Sequence, residues 1–253
     1  MTRRLAVLIA ALALFAFFAG AAAFAQDPAP AGEPPPAPAE TSKSLLDVYN
    51  EGGFMMHILL ACSIGMIACI AYCFVRISPG KMMPKGQHES LVRYMKKQEV
   101  TDAYQLCLDQ PNTYANVVSA ALLKVNFERD LANKLSMEQA ALDALDQEET
   151  KQMLWVNYLN VFATIAPMIG LLGTVWGMIE AFDVLAHKQG DPGEIAGGIG
   201  TAMSTTAGGL IVGIPSMFFY FFFRNRLMAI TADIQRNATF LLDIVSGEVK
   251  LGD

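Results

Sequence analysis

The side chains with the clearest potential for chemistry are hydroxyl groups inside two long apolar segments of residues 159–226. A hydroxyl can solvate a proton or pass it along hydrogen-bonded water, and several at similar depth in a membrane can line a wet path. Pro167 and Pro215 lie in the same segments, and each leaves one backbone carbonyl without its usual N–H donor. The predicted proton-pathway and pore-lining residues are Thr174, Thr201, Ser204, Thr205 and Thr206.

These hydroxyls also have a purely structural interpretation. Ser and Thr in membrane helices often donate to the backbone carbonyl one turn earlier, and for any single threonine this role is favoured. Several hydroxyls are grouped beside glycines, which leave room for water. This grouping favours a water-lined proton path over a purely structural role.

The middle of each segment contains no Asp, Glu, His, Lys or Arg. A proton path across a membrane usually needs a titratable group near its centre, and hydroxyls do not hold a proton near neutral pH. The sequence therefore predicts that another chain supplies the carboxylate, which implies a partner subunit with a membrane Asp or Glu.

Small residues recur at helical spacing along both segments. No hydrophobic drive holds helices together in lipid, and small residues let their backbones approach closely. Both helices are thus expected to pack tightly against neighbours in the same or the next subunit. The predicted packing residues are Gly170, Gly173, Gly177, Gly209 and Gly213.

Three apolar segments position these residues, at 54–77, 153–183 and 195–223. Each is long enough to span a bilayer, which takes about 20 helical residues. Positive residues lie at or just past the end of the first segment (Arg76, Lys81 and Lys85) and after the third (Arg224 and Arg226), and positive charge favours the cytoplasmic side. We expect an all-α, multi-pass protein of the inner membrane with three transmembrane helices, the second and third extending into a cytoplasmic helical domain. The mature N-terminus would be periplasmic and the C-terminus cytoplasmic.

The flanking regions complete the predicted organisation. Residues 1–25 have the charged start, apolar core and A-x-A site of a signal peptide, although an uncleaved membrane helix is an alternative. The other predicted regions are a Pro/Ala-rich periplasmic tether (26–43), an interfacial helix (44–53), the cytoplasmic helical domain (78–152), a periplasmic loop (184–194) and a cytoplasmic C-terminal helix (224–253).

Composition supports a membrane protein and excludes several other classes. The chain has 253 residues, of which 53% are hydrophobic and 17% charged, and its mean hydropathy is +0.35. A net charge of −6 without a basic run argues against a nucleic-acid partner. The four cysteines form no CxxC pair, so neither a metal nor a cofactor is expected. An enzyme is not expected either, because no nucleophile–base set or phosphate-binding loop is present.

Two stretches resemble the ExbB/TolQ/MotA proton-channel family, most closely its ExbB/TolQ branch. They are APMIGLLGTVWGMIEAF at residues 166–182 and GIGTAMSTTAGGLIVGIPS at residues 198–216. The resemblance implies a homo-oligomer, a pentamer, whose second and third helices line a central pore in the lipid bilayer. It also implies an ExbD/TolR-like subunit whose membrane Asp carries the proton, and a TonB- or TolA-like protein that transmits work to the outer membrane.

The resemblance also assigns individual residues. Thr174 and Thr206 match the family's threonines in the second and third helices, and both are expected to face the partner's Asp. Thr201 stands where ExbB-branch proteins often have a Glu early in the third helix. A role for that carboxylate is therefore not carried over to this chain.

Two other functions remain open at this point. One is a flagellar-type or gliding stator subunit, which an uncleaved N-terminus would favour. The other is a non-conducting membrane scaffold, in which the small residues serve only packing and the threonines bond their own backbone.

Overall fold

The described residues form helices joined by short turns, with no strand among them, which confirms the predicted all-α class. The computed structural model describes residue 49 and residues 52–124, 130–187 and 192–246. Seven helices lie in these ranges: α1 (Gly53–Arg76), α2 (Pro79–Met82), α3 (Lys85–Lys96), α4 (Val100–Asp109), α5 (Thr113–Leu122), α6 (Asp130–His187) and α7 (Pro192–Val245). The predicted signal peptide and tether lie outside these residues, as do most of the interfacial helix and the centre of the 184–194 loop.

Three of the helices, α1, α6 and α7, are long and apolar enough to cross a membrane, as the sequence predicts. Helices α6 and α7 contain 58 and 54 residues, so both continue well beyond the apolar stretches that identified them. Pro167 and Pro215 lie inside α6 and α7 without ending them. This is the tolerance expected in membrane helices, where neighbouring groups satisfy the freed carbonyls.

The chain divides into two compact units. Of the described residues, the first contains those from 49 to 66 and from 160 to 218, and the second contains those from 67 to 159 and from 219 to 246.

In the first unit, α6 and α7 touch through their backbones. A Cβ atom added at Gly209 would lie 2.7 Å from the carbonyl oxygen of Ala166, and one added at Gly170 would lie 2.9 Å from that of Thr205. Farther along, a Cβ on Gly213 would meet the Pro167 ring at 2.6 Å. Only residues without a side chain permit this approach, so these glycines set the separation of the two helices.

Helix α1 packs on one side of this pair. Phe162 of α6 fills the space beside Gly65, and Met56 lies against Gly208 of α7. At the start of α1, Gly53 takes a positive φ of 58°, a conformation that favours glycine, and lies next to the Thr201 methyl group.

The second unit has an aromatic and aliphatic core. The Phe74 ring packs edge-on against Phe223 with centroids 4.8 Å apart, and the Tyr72 ring lies 4.4 Å from that of Trp155. Lys134 of α6 forms an ion pair of 2.9 Å with Asp243 of α7.

The short helices of this unit enclose a buried polar pair. Tyr114 is fully buried, and its hydroxyl lies 2.7 Å from Nδ1 of His88. Burial lowers the pKa of His88, against a smaller raising effect from Glu89. The start of α5 is capped by Asn112, whose side-chain oxygen accepts a 2.9 Å hydrogen bond from the Ala115 N–H.

Replacing Gly209 with Ala is expected to loosen the α6–α7 contact. The new methyl group would collide with backbone atoms, and such overpacking costs about 1–3 kcal/mol. Gly197→Ala is the matched control, because a Cβ there meets nothing within 4 Å and adds the same helix propensity. Thermal unfolding of the purified protein should show a lower midpoint for Gly209→Ala alone. Equal midpoints would contradict the packing described here.

The stability of the second unit should fall in mild acid. The folded state holds His88 at a lower pKa than the unfolded chain, so protonation favours unfolding. This contribution is fully present above about pH 6.5, the ordinary histidine pKa, and is lost as the pH falls below it. Unfolding midpoints measured from about pH 7.5 to about pH 5.5 should drop less in His88→Gln than in the wild type. If the unfolding midpoints of the wild type and His88→Gln fall equally as the pH is lowered, His88 is not the titrating group.

Candidate functional site

Two of the predicted pathway threonines lie close to one backbone carbonyl. The Thr206 hydroxyl of α7 donates across the helix contact to the Gly170 carbonyl of α6 at 3.3 Å, and to Ala202 in its own helix at 3.3 Å. Thr174 follows Gly170 by one turn, and its own hydroxyl donates to the Leu171 carbonyl at 2.6 Å. Both threonines are half-buried, so their remaining acceptor sites lie at the edge of the contact.

This edge lies on the side of the helix pair away from α1. Helical residues are spaced about 100° apart, which places Thr206 roughly 160° around α7 from Gly208, the residue that contacts α1. On α6, Thr174 lies about 120° from Phe162, which also contacts α1. We call this side, defined by Thr174 and Thr206, the threonine face.

Thr205 does not belong to this face. It is completely buried, and a Cβ on Gly173 would collide with its hydroxyl oxygen. That hydroxyl donates to the carbonyls of Thr201 and Ala202, each at 3.0 Å, and is therefore satisfied within α7. The sequence grouped Thr205 with the pathway residues, but within this chain it fills the space that Gly173 leaves between the helices.

Thr201 and Ser204 lie on the side of α7 that faces α1. Thr201 contacts Gly53 at the start of α1, and its hydroxyl donates to the Gly197 carbonyl at 3.2 Å. Ser204 is half-buried and precedes Gly208 by one turn, so it shares the α1-facing side. The structure thus brings together Thr174 and Thr206 and separates the other three.

The predicted packing glycines all lie where α6 meets α7. Gly170 and Gly209 face each other, Gly173 faces Thr205, Gly213 faces Pro167, and Gly177 faces Gly198 and Ala202. The threonine face is therefore supported by direct backbone contact, which fixes the Thr206 hydroxyl relative to α6.

The sequence prediction missed two polar residues on the same side of α6, Thr164 and Asn160. Helical rotation places both within about 80° of Thr174. A helical projection of the full apolar stretch would have identified both residues. They lie on the same side of α6 as Thr174 and precede the packing glycines in the sequence.

A sequence model described as the MotA/TolQ/ExbB proton channel family matches residues 110–236, about half of the chain. A Biopolymer transport protein ExbB from Xanthomonas campestris pv. campestris is 29% identical over 137 residues, which are 53% of this chain and 54% of that protein. The chain thus spans about half the length of this relative.

Two further relatives cover different shares of the chain. Biopolymer transport protein exbB1 of Vibrio cholerae is 28% identical over 183 residues, covering 69% of this chain and 77% of that protein. Tol-Pal system protein TolQ of Haemophilus influenzae is 40% identical over 79 residues, covering 31% of this chain and 35% of that protein.

The separation of Thr174 from Thr205 predicts different access to water. In a cysteine-free background, Thr174→Cys should react with a small water-soluble thiol reagent, because the threonine face is open. Thr205→Cys should not react, since its side chain is enclosed by α6 and α7. Mass spectrometry of the assembled protein in membranes measures both. Rapid labelling of Thr205→Cys would contradict the burial.

Proposed function

Because this chain belongs to the MotA/TolQ/ExbB proton channel family, we propose that it is the proton-conducting subunit of an inner-membrane motor that drives work at the outer membrane. The single observation that carries the proposal is the threonine face, where the Thr206 hydroxyl meets the Gly170 carbonyl beside Thr174. It offers hydrogen-bonding groups deep in an apolar region, next to a helix pair held rigid by glycine contacts.

The proposal requires a second protein. Residues 152–179 of α6 and 195–223 of α7 contain no Asp, Glu, Lys, Arg or His. Hydroxyls and carbonyls orient water and stabilise a passing charge, but they do not bind a proton near neutral pH. An ExbD/TolR-like subunit would therefore supply a membrane Asp opposite the threonine face.

In the proposed assembly, the threonine face would contact the partner's membrane helices. We propose a homo-oligomer, a pentamer, in which α6 and α7 of each copy surround the partner's helices and turn the threonine face toward them. Each proton that crosses a potential of 100 mV releases about 2.3 kcal/mol. Successive protonation and release of the partner's Asp would move one ring of helices against the other, and a TonB- or TolA-like protein would carry the motion outward.

The proposed orientation places Arg76, at the end of α1, and Arg224 and Arg226, within α7, on the cytoplasmic side. Arginines concentrate on the cytoplasmic side of membrane proteins. The mature N-terminus would then be periplasmic and the C-terminus cytoplasmic.

A non-conducting scaffold is the second candidate function. Thr174, Thr205 and Ser216 each donate to a carbonyl of their own helix, which is what a purely structural role requires. Proton conduction separates the two functions.

Proton flux into liposomes tests the proposal. The full-length chain would be reconstituted with the ExbD/TolR-like protein encoded beside it, and flux would be driven by a potassium diffusion potential. Thr206→Val keeps the side-chain shape but removes the hydroxyl and its bond to Gly170, so flux should fall by about tenfold or more, the effect of losing one hydrogen bond in the rate-limiting barrier. Thr174→Val should act in the same direction.

Ser216→Ala is the matched control, because it removes a hydroxyl without adding bulk. That hydroxyl is fully buried, donates to the Val212 carbonyl of its own helix at 2.8 Å, and lies ten residues, about 15 Å, along α7 from Thr206. Complexes of all variants should elute at the wild-type size. If Thr206→Val and Thr174→Val conduct protons like the wild type, the threonine face is not the pathway. If the wild-type complex itself does not conduct protons, the result supports the non-conducting scaffold.

A further inference from the structure

The side-chain amide of Asn160 lies in the apolar part of α6. The backbone carbonyl of Asn160 accepts a hydrogen bond from Thr164, but no hydrogen bond joins its side chain to any residue in the described ranges. The side chain is half-buried. A primary amide has two donor hydrogens and an acceptor oxygen, so several hydrogen-bonding positions are left for groups outside this chain.

The position of Asn160 makes lipid an unfavourable surrounding. Asn160 follows Trp155 by five residues, about 7.5 Å along α6, in the direction of the middle of the apolar stretch. Val161, Ile165 and Met168 follow it and are all exposed apolar side chains. An amide that faces hydrocarbon without a partner costs several kcal/mol, so water or another polar group must satisfy it.

The direction of the side chain selects among these partners. Asn160, Thr164 and Thr174 fall within an arc of about 80° on α6, and Phe162, which packs on α1, lies roughly opposite. The Thr164 hydroxyl is exposed, with 3.0 Å bonds to the Asn160 and Val161 carbonyls that leave its acceptor sites open. Asn160 therefore points to the same side as the threonine face.

We infer that Asn160 and Thr164 line the inner end of the proton path and hold the water that connects the threonine face to the cytoplasmic side of the membrane. This inference rests on the proposed function and extends it. The amide takes up no proton: it accepts a hydrogen bond from one water and donates to another, so that a proton entering this water chain is matched by one leaving it. Asn160 is 14 residues, about 21 Å, from Thr174, which is the distance the water must bridge.

Replacing Asn160 with Leu tests this role in the reconstituted complex of the full chain and its ExbD/TolR-like partner. Leu matches the size of Asn but binds no water, so proton flux should fall by about tenfold, as for the loss of one hydrogen bond from the path. Asn160→Gln keeps the amide and should retain most of the flux. A purely structural role would not be rescued in this way, because Gln is longer and fits the packing less well.

Tyr158→Phe is the control for position on the helix. It deletes a hydroxyl half a turn from Asn160, on the side of α6 that carries Phe162, and should conduct like the wild type. Normal flux through Asn160→Leu, in a complex that still conducts and still responds to Thr206→Val, would overturn the role of Asn160 and leave the proposed function standing. Loss of assembly in Asn160→Leu would also overturn the proposed role of Asn160. It would show that the amide bonds a neighbouring copy of the chain instead of water. A wild-type complex without flux would instead contradict the proposed function itself.

Discussion

The direct contact between the backbones of α6 and α7 is the constraint on which the rest of the site depends. Lipid supplies no hydrophobic force between helices, so they must gain their attraction from close van der Waals contact. Gly170 and Gly209 allow that contact because neither has a side chain to separate the backbones. The same closeness brings the Thr206 hydroxyl within 3.3 Å of the Gly170 carbonyl. A wider separation would leave Thr206 bonded only to its own helix.

Because of this contact, neighbouring hydroxyls lie in different surroundings. Thr205 and Thr206 are adjacent in sequence and differ by about 100° in direction. The first is enclosed against Gly173 and stabilises the helix pair, while the second reaches the edge and can meet water or a partner helix. Because none of these groups titrates near neutral pH, we propose that the helix pair lines the path and that a second protein carries the proton.

Much of the fold follows from simple features of the sequence. Apolar runs of sufficient length predicted the three spanning helices, and glycines at helical spacing marked surfaces able to pack closely. The direction of each hydroxyl was harder to predict, because it depends on which side of α7 is occupied by α1. Met56 and Gly53 of α1 cover the Gly208 and Thr201 side, and no pattern within α7 itself identifies that side. Asn160 was missed because it lies near the end of the apolar run, where polar residues are common.

Dependence of proton flux on the partner tests the central claim most directly. Liposomes containing this chain alone would be compared with liposomes containing the chain and its ExbD/TolR-like partner at equal protein density and equal membrane potential. We expect flux only when both proteins are present, and we expect it to be lost when the partner's membrane Asp is changed to Asn. Sustained proton flux through this chain alone would contradict the account, since the chain would then need a proton carrier that residues 152–179 and 195–223 do not contain.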